Sequence, residues 1–297
     1  MASGISGKTK VCGIIGYPVE HSFSPAMHNA AFRALGLDYV YIPFPVKPCD
    51  LGTATEAVRV FGLVGVNVTI PHKEAVIPFL DELSEEAGIL GAVNTVVNRR
   101  GRLLGCNTDG RGFIRSLREN AGFDPAGKKA LVLGAGGAAR AVAVQLALSG
   151  VSRIVLTNRS KKRAEDLARL VSGRTGVFAE VAPWPAGEGS ILPPEIVRDI
   201  DLIVQTTSLG MYPGSSETVP FPFTALRPGQ LVCDLVYNPA ETLFLRKSRL
   251  AGAQTVDGLG MLLYQGALSF ELWTALAAPL EVMKEVLYNT IAGGKKC

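Results

Sequence analysis

The stretch KKALVLGAGGAARAVAVQLALSG, residues 128–150, places Gly134, Gly136 and Gly137 directly after an apolar strand pattern and before an alanine-rich helix pattern. In that context G-x-G-x-x-A is a dinucleotide fingerprint. Glycine permits the tight turn and brings the backbone of Gly134, Ala135, Gly136, Gly137 and Ala138 toward a pyrophosphate, whose charge the helix N-terminus favours. Ala139 lets the helix sit close on the strand. The next strand pattern, RIVLT, ends at Asn158, about twenty-five residues past the first glycine, where an NAD-selective site carries an acidic residue. The acid is missing. The sequence instead reads NRSKKRA over 158–164, so Asn158, Arg159, Ser160, Lys162 and Arg163 stand where cationic and polar groups hold a 2′-phosphate, which favours NADP over NAD. Basic charge at a helix start opposes the helix dipole, so the cluster reads better as an anion site than as a solvated surface.

Upstream, apolar runs alternate with helical patterns. Val11–Gly16 is expected as a strand, 24–35 as a helix, Tyr39–Val46 as a strand, 49–61 as a helix and Gly65–Ile70 as a strand, a βαβαβ rhythm. Ser24 followed by Pro25 reads as a capped helix start with proline at the first helical position. A helix is expected over Lys73–Leu83, then a hairpin, Asn94–Asn98 and Leu103–Cys106, turned at Arg100–Gly101. After a helix over 110–120, a second βα series runs through Ala130–Leu133, Arg153–Thr157, Asp201–Gln205 and Leu231–Leu235. The proline-rich stretch 181–198 reads as a solvent-exposed connection. The helical region 259–291 has no following strand and is expected to return to the first domain. The chain therefore reads as α/β, with one domain of 1–109 plus 259–297 and a Rossmann-type, doubly wound parallel-sheet NADP domain of 110–258.

At 297 residues, with 47% hydrophobic and 19% charged residues, the chain has enough apolar material for two cores. A net charge of +4 without basic–aromatic clusters excludes a nucleic-acid surface. No stretch supplies the ~20 uncharged residues of a membrane span. The five cysteines, Cys12, Cys49, Cys106, Cys233 and Cys297, include no C-x-x-C pair, which argues against a disulfide framework or a metal site and fits a reducing cytoplasm. Residues 1–10 read as a frayed terminus. A monomer and a homodimer are both compatible with the sequence.

The first domain carries HSFSP at 21–25, NVTIP at 67–71 followed by His72–Lys73, GAVNT at 91–95 and NTDG at 107–110. Hydroxyls at Ser22, Ser24 and Thr69, amides at Asn67 and Asn94, and the ionisable Lys73 and Asp109 suit a small polyhydroxylated acid. With GAGGAAR (134–140), NRS-x-x-RA (158–164), TTSLGM (206–211) and DGLGMLLYQGA (257–267), these segments resemble the shikimate dehydrogenase family over nearly the whole chain. The resemblance implies NADP-dependent, reversible reduction of 3-dehydroshikimate to shikimate, within aromatic amino-acid biosynthesis. It further implies Lys73 and Asp109 as the catalytic pair, with lysine as proton carrier or as electrostatic stabiliser. By the same resemblance Ser22, Ser24 and Tyr237 lie at the substrate carboxylate, Asn67, Thr69, Asn94, Asp109 and Gln265 at ring hydroxyls, and Thr207, Leu235 and Gly258 at the nicotinamide. Two positions depart from the family pattern: Gln205 replaces a common asparagine and Leu235 a common methionine. A quinate/shikimate dehydrogenase using NAD is the nearest alternative, disfavoured by Ser24 and Arg159. A non-catalytic NADP-binding sensor is the alternative from another class.

Overall fold

The computed structural model describes residues 4–185 and 189–293. Cys297, the first three residues of the expected frayed terminus and residues 186–188 of the proline-rich connection lie outside them. The chain divides into two compact units, residues 1–108 with 263–297, and 109–262.

The first unit contains β1 (Lys10–Gly16), α1 (Ser24–Ala34), β2 (Tyr39–Pro45), α2 (Leu51–Val60), β3 (Gly65–Val68), β4 (Glu82–Leu83), α3 (Glu85–Leu90), β5 (Thr95–Arg99) and β6 (Arg102–Cys106). They form one six-stranded sheet ordered β2-β1-β3-β5-β6-β4, parallel from β2 to β3 and antiparallel across β5. Strand alternation sorts its two faces. Val66 and Val68 join Leu51 and Val58 of α2 in one apolar cluster, so Asn67 between them points to the other face. The hairpin turns at Arg100–Gly101 with φ of 56° and 90°, the left-handed pair that matches the twist of a two-residue hairpin.

The second unit contains α4 (Asp109–Ala121), β7 (Lys129–Leu133), α5 (Gly137–Leu148), β8 (Arg153–Thr157), α6 (Lys161–Thr175), β9 (Ala179–Val181), α7 (Pro194–Arg198), β10 (Leu202–Gln205), β11 (Leu231–Asp234), α8 (Leu243–Leu250) and β12 (Gln254–Val256). Its sheet is ordered β12-β11-β10-β7-β8-β9 and every pairing is parallel. The order reverses between β7 and β10, the switch point at which doubly wound sheets bind ligands beyond their strand ends. α9 (Leu259–Thr274) crosses the 262/263 boundary, and α10 (Leu280–Gly293) belongs to the first unit, where it packs on α1. The Trp273 indole N–H donates to the Val96 carbonyl at 3.0 Å, tying α9 to the first sheet.

Three expectations need correction. No α-helix spans Lys73–Leu83: the segment turns, forms a short 3₁₀ element at Ile77–Phe79 and then pairs as β4. Pro78 lacks the N–H that a continuing helix needs. The helix comes later as α3, where the Ser84 hydroxyl accepts from Ala87 N and Gly91 ends the helix in the left-handed region. At α1, Phe23 rather than Ser24 occupies the cap, and Ser24 and Pro25 lie inside the helix. The stretch 181–198 is not simply exposed, since Ala182, Leu192 and Val197 are buried in the second unit's core and 194–198 forms α7.

Candidate active site

In the first unit the loops that carry the predicted residues meet where β1 and β3 end. The two ends are laced together, with Thr69 N donating to the Ile15 carbonyl at 2.9 Å and Tyr17 N to the Ile70 carbonyl at 3.0 Å. This joins the loop carrying Ser22 and Ser24 to the loop carrying Thr69 and Lys73. The Val93 N–H donates to the Lys73 carbonyl at 2.8 Å, and the Thr108 N–H donates to Asn94 Oδ1 at 2.8 Å. Residues 93–94 therefore anchor both Lys73 and the residue that precedes Asp109. His72 is buried, with its Nε2 2.7 Å from the Val46 carbonyl. A carbonyl can only accept, so Nε2 carries the proton and His72 braces the loop.

Beneath these loops lies a buried polar network. Asn67 Nδ2 faces the Asn94 carbonyl at 3.1 Å, Thr95 Oγ1 at 3.1 Å and Ser269 Oγ at 3.0 Å, while Oδ1 accepts from the Tyr41 hydroxyl at 2.7 Å. Asn94 Nδ2 donates to Thr108 Oγ1 at 2.9 Å. Ser269 Oγ is 2.8 Å from Thr95 Oγ1 and donates to the Gln265 carbonyl at 3.0 Å, which links the candidate Gln265 on α9 to the strands. Buried amides with satisfied partners cannot swing, so the network holds its donors and acceptors fixed. Tyr41, Thr95, Thr108 and Ser269 escaped the sequence reading. The signal available was slight: a serine four residues after Gln265 in an otherwise apolar helix, and a tyrosine on the inward alternation of β2.

The second unit builds a different kind of site at its switch point. Gly134 has φ of 119°, and a Cβ there would collide with the Thr206 hydroxyl, so the turn after β7 requires glycine. A Cβ on Gly136 or Gly137 would meet nothing within 4 Å, both glycines and Ala138 are exposed, and no side chain caps α5. Open space over an uncapped helix start, edged by backbone N–H groups, fits a pyrophosphate. The Gly134 N–H donates to the Thr157 carbonyl at 2.8 Å, tying this loop to the strand that ends at Asn158. Asn158 Nδ2 donates to the Ser160 carbonyl at 3.0 Å, while Arg159, Lys162 and Arg163 are exposed at the start of α6, whose first turn has no acidic residue.

Gln205, one of the two departures, has a physical role. Its Oε1 accepts from Thr207 N, and its Nε2 donates to the Leu209 carbonyl at 3.0 Å and to Asp234 Oδ1 at 3.3 Å, so its amide folds the loop carrying Thr207 back over β10. Asp234 also accepts from Thr242 Oγ1 at 2.7 Å and Val236 N at 3.0 Å. Burial outweighs these three donors and pushes its carboxyl up to about 6. Leu235 and Gly258 are brought together: a Cβ on Gly258 would strike the Leu235 carbonyl. Tyr237 follows in the same loop, its phenol pushed upward by burial.

Three stretches match family models: 14–96 the shikimate dehydrogenase substrate binding domain, 117–182 shikimate / quinate 5-dehydrogenase, and 258–288 the shikimate 5′-dehydrogenase C-terminal domain. A shikimate dehydrogenase (NADP(+)) from Desulforamulus reducens is 54% identical over 290 residues, covering 98% of both chains. The chain belongs to the shikimate dehydrogenase family. Among solved structures, the shikimate 5-dehydrogenase of Listeria monocytogenes in complex with shikimate and NAD superposes with a TM-score of 0.90 at 40% identity, covering 97% of this chain and 99% of that one. The Thermus thermophilus shikimate 5-dehydrogenase, solved with NADP(H) and shikimate, gives a TM-score of 0.81 at 38% identity, covering 95% of this chain and 99% of that one. Among the described residues of this family member, no helix is long and apolar enough to cross a membrane.

Proposed function

We propose that this shikimate dehydrogenase family member is an NADP-dependent oxidoreductase that interconverts 3-dehydroshikimate and shikimate in the cytoplasm, with Lys73 and Asp109 as its catalytic pair. The observation that carries the catalytic assignment is the double anchoring of Lys73 and Thr108 on residues 93–94, which holds the lysine loop and the start of the Asp109 segment against one rigid support. Bound NADP supplies or accepts the hydride at the substrate's reacting carbon.

The chain's own residues bind, orient and move the proton. The Lys73 ammonium donates to the oxygen that gains charge as the ketone is reduced, and the neutral amine takes the proton back in the reverse direction. A carboxylate at Asp109 accepts a substrate hydroxyl. Ser22, Ser24 and Tyr237 donate to the substrate carboxylate, while Thr69, Asn67, Asn94 and Gln265 discriminate ring hydroxyls, because a buried polar group left unpaired penalises an analogue that lacks its partner. The backbone of 134–138 and the start of α5 hold the pyrophosphate; Asn158, Arg159, Ser160, Lys162 and Arg163 hold the 2′-phosphate; Thr207, Leu235 and Gly258 border the nicotinamide.

Absorbance at 340 nm, followed with purified protein, shikimate and NADP and with the crossed combinations of quinate and NAD, tests this assignment. Turnover confined to shikimate with NADP is expected. Faster turnover with quinate or NAD would overturn the reading of Ser24 or Arg159, and NADP binding without any turnover would leave a sensor.

A further inference from the structure

Tyr41 is 2% exposed on β2, and its ring stacks on that of His28 with centroids 4.5 Å apart and planes 8° from parallel. Burial pushes the Tyr41 phenol well above its ordinary range, so it keeps its proton, and it drives the His28 imidazole down to about 3, so the ring beneath stays neutral. The single phenolic proton has one destination. Asn67 Nδ2 faces the Asn94 carbonyl at 3.1 Å, which can only accept, so the end of the amide facing Tyr41 is the oxygen and Tyr41 must donate to it.

The two N–H groups of Asn67 already face three acceptors, Asn94 O, Thr95 Oγ1 and Ser269 Oγ, all at 3.0–3.1 Å. What Asn67 has left for a ligand is the second lone pair of Oδ1, so it serves only as an acceptor.

We infer that Tyr41 is a positioning residue for the substrate: its buried hydroxyl donates to Asn67 Oδ1 and so fixes that amide with its oxygen as the acceptor of a ring hydroxyl. The inference rests on the function proposed above. No sequence motif contains Tyr41, and it acts through Asn67.

Tyr41→Phe removes the hydroxyl and keeps the stacked ring. Steady-state rates at 25 °C with shikimate and NADP should show kcat/KM for shikimate falling about tenfold, mainly through KM, with the NADP dissociation constant within twofold of wild type. His28→Phe, which disturbs the same packing but leaves the hydroxyl, should keep the shikimate KM within twofold. A wild-type protein that does not oxidise shikimate would sink the proposed function. An active wild type whose Tyr41→Phe variant keeps its shikimate KM and kcat within twofold would sink this inference, as would an equal KM rise in His28→Phe. An independent check uses wild-type protein labelled with ¹³Cζ-tyrosine: shikimate added without cofactor should shift the Tyr41 resonance as Asn67 Oδ1, the acceptor of the phenolic proton, takes a second donor from the ligand, and an unmoved resonance overturns the inference.

Discussion

The two candidate sites are made of different materials. In the first unit, the candidate site is assembled from side chains whose donors and acceptors satisfy one another, as with Asn67 held by Tyr41, Asn94, Thr95 and Ser269. In the second, it is assembled from backbone at an uncapped helix start and from exposed cations at the start of α6. The difference follows the ligands each suits. A small ring with several hydroxyls is told from its analogues by where lone pairs and protons point, which only immobilised side chains can dictate. A phosphate presents the same oxygens in every direction and needs N–H groups and positive charge more than fixed valences. Loss of one group should therefore be steep and selective in the first unit and graded in the second.

The largest effect expected is at Lys73. Lys73→Ala should lower kcat by about a thousandfold while the NADP dissociation constant stays within twofold, since general acid–base groups contribute roughly 10²–10⁴-fold. Rates at 340 nm together with an NADP titration check this, and a parallel loss of cofactor binding would break the separation between the sites. Arg159→Ala should be milder. It should weaken NADP binding about tenfold and leave NAD binding unchanged, because one of several cations on a 2′-phosphate is removed and exposed charge is screened. Equal weakening of both cofactors would place Arg159 elsewhere.

The smallest effect sharpens the comparison through pH, because the two units carry buried groups of opposite sign. His28 is pushed from 6.5 down to about 3 by burial, so the unfolded chain takes up a proton that the folded one refuses, and stability falls as pH drops from about 6.5 toward 3. Asp234 is pushed from 3.8 up to about 6, so the folded chain keeps a proton that the unfolded one releases, and its contribution to stability falls as pH rises from about 4 to 6. Each contributes at most about 1.4 kcal/mol per pH unit. Thermal midpoints across pH 4–7 should fall less steeply on acidification in His28→Phe and more steeply in Asp234→Asn than in wild type. Curves parallel to wild type would show that these groups titrate alike in the folded and unfolded chains.

Legibility differed in the same way between the regions. The glycine loop, the basic start of α6 and the alternation of strands and helices were readable because each depends on neighbours within a few residues, such as Gly134 at a φ only glycine adopts comfortably. The expected helix over Lys73–Leu83 failed although its local pattern was apolar at helical spacing. Pro78 weighs against it, and the Asp81 carboxylate accepts from Leu103 N at 2.6 Å, a partner remote in sequence that draws the chain into the sheet as β4. Gln205 looked like a minor substitution and is a buried clamp, visible only once Leu209 and Asp234 are beside it.

The sequence by itself determined the βα rhythm, the cofactor class and the set of polar residues carried by the strand-end loops, since turn chemistry, charge and hydrophobic period are local properties. Tertiary structure alone decided the valence of each group: that Asn67 accepts, that His72 braces a loop, that Ser269 from α9 closes on Thr95 across 174 positions of chain. Hydrogen-bond direction in a buried network depends on every partner at once, and those partners are brought together only by the packing of remote segments.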